Sequence, residues 1–185
     1  MSISILLPYK ENFSPTYPGA VSIFIKDTVL KSKYKKKITI YGNTNYKAKF
    51  LKNYINLTLN KNFLQSGSKI YIKNFLKKFK NNKTNIIEVH NRPNYIKNLS
   101  NLDNVKIVLY FHNDPLEMQG SSTVTERIFL LENLEKIIFN SQWSKKRFLK
   151  NLNAKYLRSE KLIVVEQSTS KVSVNISQKE NTIIF

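Results

Sequence analysis

The feature of this sequence that most constrains its fold is a regular alternation between short apolar runs and stretches with helical periodicity. The apolar runs have the length of strands, and between them apolar residues recur every three or four positions. Strands that alternate with helices in this order favour a parallel sheet with right-handed helical crossovers. The pattern therefore predicts an α/β fold, a Rossmann-like doubly wound parallel sheet.

The predicted strands are short, and the run that ends at Phe111 is the most apolar of them, as expected for a central strand. The segment from Tyr46 to Gly67 is ambiguous, with a short strand at 54–57 as one interpretation. The other predicted strands are 3–7, 38–41, 86–89, 105–111, 137–139 and 162–165.

Helix signals lie between these strands. A helix is predicted to begin near Gly19, where the spacing of apolar residues changes to one helical face. Thr123 and Glu126 have capping-box spacing, which predicts a helix over about 122–133. Ser141 is predicted to cap the next helix, in which Trp143 is expected to join the core. A basic amphipathic helix is predicted from Ile72, Phe75, Leu76 and Phe79, with Lys73, Lys77 and Lys80 facing water.

The chain is strongly basic, with 31 Lys and Arg against 12 Asp and Glu in 185 residues, a formal charge of +19. This charge favours an anionic partner, such as nucleic acid, a phosphorylated ligand or anionic lipid. The lysines are dispersed rather than gathered in one block, which disfavours a dedicated nucleic-acid surface. The absence of cysteine and of a secretory signal fits the cytoplasm, and no apolar run is long enough to span a bilayer.

Candidate chemistry lies where predicted strands end, because ligands of open parallel sheets bind outside the carboxyl ends of the strands. The loop before Gly19 and Ala20 leads into a helix whose free amides suit a phosphate, or else only shapes the helix start. His112 follows the most apolar strand, where a neutral imidazole can bond a hydroxyl, or else it caps the strand end. The triad His90, Asn91 and Arg92 supplies donors for hydroxyls or an anion, or else forms a turn closed by proline. No GxGxxG turn and no metal-ligand spacing is present.

Four segments resemble the amino-terminal domain of glycosyltransferase family 4, a retaining family with the GT-B architecture. "PYKENFSPTYPGAVSIF" resembles the first loop and helix start, and "IIEVHNRPNYI" and "VLYFHNDPLEMQG" resemble two histidine-bearing strand ends. "EKIIFNSQWSKKRFL" resembles a strand, an Asn-Ser turn and a helix of the family. The resemblance covers essentially the whole chain, although Ala20 replaces the second glycine that the family often has.

The resemblance implies one half of a GT-B fold that transfers a sugar from a nucleotide sugar to an acceptor hydroxyl, on a glycan or lipid-linked saccharide. It implies no cofactor and no metal. Gly19 and Ala20 would contact the donor diphosphate, and His112 would lie beside the reacting centre. By the same similarity the acceptor cleft would be lined by His90, Asn91, Arg92, Asn113 and Asp114, with the turn of Asn140 and Ser141 nearby.

The expected organisation is one domain over 1–167, a linker over 168–180, and the first strand of a donor-binding domain over 181–185. The family's basic pair on the leaving diphosphate belongs to that second domain. The alternatives are a basic module that binds nucleic acid or an anionic membrane surface, of which nucleic acid is disfavoured, and a non-catalytic relic of the fold. The lysine excess suits peripheral contact with the inner face of the cell membrane. The oligomeric state is not predicted.

Overall fold

The computed structural model describes residues 2–59, 66–79 and 85–167, which form one parallel sheet of seven strands flanked by helices. The strands are β1 (Ile3–Leu6), β2 (Ile38–Gly42), β3 (Tyr54–Asn56), β4 (Ile86–His90), β5 (Lys106–Phe111), β6 (Lys136–Phe139) and β7 (Leu162–Val164). The helices are α1 (Ala20–Lys31), α2 (Gly67–Phe79), α3 (Ile96–Leu99), α4 (Val124–Asn133), α5 (Gln142–Leu149) and α6 (Ala154–Leu157). The predicted α/β class, with its Rossmann-like doubly wound sheet, is confirmed.

The strand order is β3-β2-β1-β4-β5-β6-β7, and every neighbouring pair is parallel. The chain builds outward from β1 to β3, returns to the other side of β1, and then builds outward again from β4 to β7. The direction of winding therefore reverses between β1 and β4, and this reversal is where open α/β sheets leave a crevice for a ligand.

Two hydrophobic cores lie on the two faces of the sheet. The smaller core packs Val21, Ile25 and Val29 of α1 against β1 and β2. The larger core packs α2, α4 and α5 against the other face, and Phe111, Phe139 and Phe148 meet there. Because successive side chains of a strand point to opposite faces of the sheet, the position of a residue at a strand end predicts the face on which it lies.

Local signals account for the starts of α4 and α5. Thr123 and Glu126 form a reciprocal capping box at the start of α4, and Ser141 caps α5 by accepting a hydrogen bond from the Ser144 amide at 3.2 Å. In α2, Lys73 and Lys77 are exposed as predicted, whereas Lys80 lies outside the described residues. The predicted core position of Trp143 is wrong, because its side chain is 58% exposed and packs near the Arg147 guanidinium.

None of the helices in the described ranges has the length and apolar character needed to cross a membrane. The predicted linker at 168–180 and the predicted strand at 181–185 lie outside the described residues.

Candidate ligand-binding site

The predicted site residues lie at the carboxyl edge of the sheet, around the reversal between β1 and β4. The loop 7–19 follows β1, His90 ends β4, and His112 follows β5 directly. Asn91 is paired with the neighbouring strand, because its amide donates to the Tyr110 carbonyl at 2.9 Å. The topology therefore brings together segments that are far apart in sequence.

Two asparagines fix the backbone of His112. The Asn91 side-chain oxygen accepts from the His112 amide at 2.7 Å, and the Asn140 side-chain nitrogen donates to the His112 carbonyl at 2.7 Å. Asn91 adopts a φ of 51°, in the left-handed region that asparagine tolerates better than most residues. Asn91 and Asn140 thus fix the backbone at the end of β5. Other side chains occupy the exposed positions around it.

The His112 ring is packed among aromatic rings on the α1 side of the sheet. It stacks on Tyr110 at 4.5 Å and meets the edge of Phe24 from α1 at 5.1 Å, measured between ring centroids. Its Nε2 lies 2.8 Å from Nδ1 of His90, and its Nδ1 is hydrogen-bonded to the side chain of Gln167. The ring is therefore held at both nitrogens and on one face.

Burial, followed by the effect of the neighbouring His90, lowers the pKa of His112 from 6.5 to about 3. His112 is consequently a neutral imidazole near neutral pH. A neutral imidazole can accept or donate one hydrogen bond at each nitrogen, but it does not attract an anion as a cation would.

A carboxylate of the chain itself lies at the start of α1. The Glu11 carboxylate accepts from the Ser22 amide at 3.0 Å and fills the space that a side chain at Gly19 would need. Gly19 is the residue before the first turn of α1, and Ala20 is exposed. The free amides that the sequence suggested for a phosphate are therefore shared with a carboxylate of the chain itself.

The remaining predicted residues have mixed surroundings. Asp114 forms an ion pair with Arg147 at 2.7 Å and accepts from the Leu116 amide at 3.0 Å. Although desolvation raises the pKa of Asp114, the hydrogen bonds from Arg147 and from the backbone outweigh it and lower the pKa. Asn113 is exposed and Arg92 is partly buried, with its guanidinium on the Asn91 carbonyl at 2.7 Å.

His90 is fully buried, and both of its ring nitrogens have partners. Nε2 of His90 lies 2.7 Å from the Glu88 carboxylate, two residues earlier on the same strand face. The sequence identified His112 and His90 singly, predicted that Glu88 faces a polar neighbour from a pleat position rather than being a site residue, and gave Glu11 and Gln167 no role. The alternation of faces along β4 carried a signal for Glu88, whereas nothing in the sequence marked Glu11 or Gln167 as neighbours of the site.

A separate groove of about 1170 Å³ lies on the other face of the sheet from α1, between α2 and the start of α4. Its lining includes Lys69, Lys73 and Lys97, but neither histidine.

Among the described residues, no group of three or more histidine, cysteine or carboxylate side chains is placed to hold a metal ion. No protein-family model matches the chain, and no curated protein matches it either.

Proposed function

We propose that this chain is the acceptor-side domain of a retaining glycosyltransferase, with its site at the carboxyl edge between β1 and β5. The donor is a nucleotide sugar and the acceptor is a hydroxyl of a glycan or of a lipid-linked saccharide. The observation that carries the proposal is the His112 ring, which is fixed at the carboxyl end of β5 by Asn91 and packs against Phe24 of α1.

The chemistry of sugars supports this assignment. A saccharide presents many hydroxyl groups and little charge, so it is recognised by neutral hydrogen-bonding groups beside aromatic faces. His112 supplies such a group, and Asn113 adds an exposed amide one residue later. The amides at the start of α1 suit the diphosphate of a nucleotide sugar once the Glu11 carboxylate has moved aside.

Departure of a nucleoside diphosphate requires positive charge on its oxygens in the transition state. Two arginines belong to segments at the carboxyl edge: Arg92 follows β4, and Arg147 of α5 is bonded to Asp114, which follows β5. Both guanidiniums are already hydrogen-bonded within the chain. In the family that the sequence resembles, a second domain supplies this positive charge. The proposal therefore assigns binding and acceptor placement, rather than turnover, to residues 2–167.

The formal charge of +19 supports an acceptor that carries phosphate or lies on an anionic lipid surface in the cytoplasm. The same charge is the basis of the rival function, a module that binds nucleic acid. The two differ in salt dependence, because phosphate contacts to a polynucleotide release counterions and weaken steeply as salt rises.

Calorimetric titration tests the proposal. The ligands are UDP-glucose, GDP-mannose, methyl α-glucoside, a random single-stranded oligonucleotide and phosphatidylglycerol vesicles, each measured at two salt concentrations. We expect a nucleotide sugar or the glycoside to bind with a weaker salt dependence than a polynucleotide shows, and His112→Gln to weaken that binding. The control Glu132→Gln alters an exposed carboxylate on α4 and should leave the binding unchanged. Binding of the oligonucleotide alone, lost at high salt, would refute the proposal.

A further inference from the structure

Glu88, His90 and His112 lie on one face of the sheet because of the pleat. Glu88 and His90 are two residues apart on β4, and His90 is paired in register with Tyr110 of β5. His112 is two residues beyond Tyr110, so it lies on the same side. The three side chains therefore form a line that runs along β4 and crosses to β5.

Their hydrogen bonds are continuous. The Glu88 carboxylate oxygen is 2.7 Å from His90 Nε2, and His90 Nδ1 is 2.8 Å from His112 Nε2. The line ends at His112 Nδ1, whose partner is the exposed Gln167 amide. Every ring nitrogen in the line has one partner.

The direction of these bonds follows from the carboxylate. An ionised carboxylate only accepts, so the proton of His90 must be on Nε2. A neutral His90 then has a lone pair on Nδ1, and His112 must place its own proton on Nε2 in order to donate to it. His112 Nδ1 is left with a lone pair, which the Gln167 amide nitrogen satisfies as a donor.

We infer that Glu88 and His90 are positioning residues that hold the proton of His112 on Nε2, so that Nδ1 accepts a hydrogen bond from a ligand hydroxyl. A hydroxyl replaces the Gln167 amide at this atom without disturbing the rest of the line. A phosphate oxygen does not, because it would bring a lone pair against a lone pair. The identity of the ligand rests on the proposed function, whereas the proton positions do not.

The two histidines have different roles in this arrangement. His90 is buried with both nitrogens engaged, so it acts on the ligand through His112. The neutral state of His112, favoured by its low pKa of about 3, is the state that this arrangement requires. Loss of the Glu88 charge should therefore change the proton position on the His112 ring, two hydrogen bonds away along the line.

The test is nitrogen NMR of the 185-residue chain labelled in histidine, which contains only 2 histidines. The variant His90→Gln assigns the two rings. At neutral pH we expect both protons on Nε2 and a scalar coupling across the hydrogen bond between His112 Nε2 and His90 Nδ1. A His112 ring with its proton on Nδ1, or the absence of that coupling, would overturn the inference.

The variant Glu88→Gln supplies the second arm. Its amide can donate as well as accept, so a second tautomer should appear in both rings and the coupling should weaken. Glu132→Gln makes the same chemical change at an exposed site and should leave both rings as in the parent. Rings that stay unchanged in Glu88→Gln contradict the role given to Glu88, and circular dichroism checks that the variant is folded.

Two probes examine the ligand. Methyl α-glucoside should shift the His112 Nδ1 resonance, whereas inorganic pyrophosphate should leave it unchanged. The opposite pattern would overturn the hydroxyl assignment. If the proton positions are as inferred and neither the glycoside nor any nucleotide sugar binds, the proposed function fails together with the hydroxyl ligand. The positioning roles of Glu88 and His90 would stand in that case.

Discussion

Replacement of Glu11 should have opposite effects on stability and on anion binding. Its carboxylate accepts a hydrogen bond from the Ser22 amide at 3.0 Å in the first turn of α1, and it lies against Gly19. A side chain that caps a helix start contributes about 1 kcal/mol, and the helix dipole accounts for part of that stabilisation. Glu11→Ala should therefore lower the free energy of unfolding by about 1 kcal/mol.

The same substitution frees the amides that a diphosphate would use. A ligand that must displace Glu11 loses about 1 kcal/mol of binding free energy, so removing the carboxylate should raise affinity about fivefold. The assay compares urea unfolding with calorimetric titration of inorganic pyrophosphate, for the parent and for Glu11→Ala. Glu132→Gln is the control for a general loss of negative charge on the surface.

Gly19→Ala distinguishes release of the amides from a general change in the loop. A methyl group at Gly19 collides with the Glu11 carboxylate, so this variant also displaces the cap and loses stability. The methyl group remains in the approach of the phosphate, so pyrophosphate affinity should not rise. An unchanged or lower pyrophosphate affinity in Glu11→Ala would refute the idea that Glu11 occupies an anion site.

Three further substitutions test other contacts. His112→Gln should flatten the dependence of the free energy of unfolding on pH in acid. The pKa of His112 is about 3 in the folded chain against 6.5 in the unfolded chain, so the stability that the neutral ring contributes is fully present above pH 6.5 and is lost as the pH falls. The parent should lose at most about 2 kcal/mol more than this variant between about pH 8 and pH 5 in urea unfolding. Arg127→Met should lower the free energy of unfolding by about 2–4 kcal/mol in the same assay, because the buried guanidinium donates to the carbonyls of residues 121, 122 and 150. The control Arg158→Met, at an exposed arginine, should lower it little. Thr123→Ala should lower the melting temperature through loss of about 1 kcal/mol from the capping box, and Thr125→Ala, exposed in the same turn, should not.

The fold was largely predictable because its signals are local. Apolar runs of strand length, the capping box at Thr123 and the cap at Ser141 each act within a few residues. Even the short strand β3 fell inside the interpretation offered for an ambiguous segment. The alternation of strands and helices then implied a parallel sheet, since a parallel pair requires a crossover connection.

The candidate site was predictable only in part. Residues that end neighbouring strands were expected to meet, and His90 and His112 do so at 2.8 Å. The carboxylate at the start of α1 was missed because Glu11 reaches it through the fold of a loop, which leaves no periodic signal. Trp143 was misjudged because a large apolar side chain at a helix start was taken for core, although it lies on the exposed side of α5.

A crystal structure of the chain with a nucleotide sugar, and a second one with methyl α-glucoside, would test the proposed site most directly. We expect the diphosphate at the start of α1 with Glu11 turned away, and a sugar hydroxyl on His112 Nδ1 in place of the Gln167 amide. A ligand bound instead in the groove beside Lys69, Lys73 and Lys97, with the His112 ring still bonded to Gln167, would contradict the proposed function.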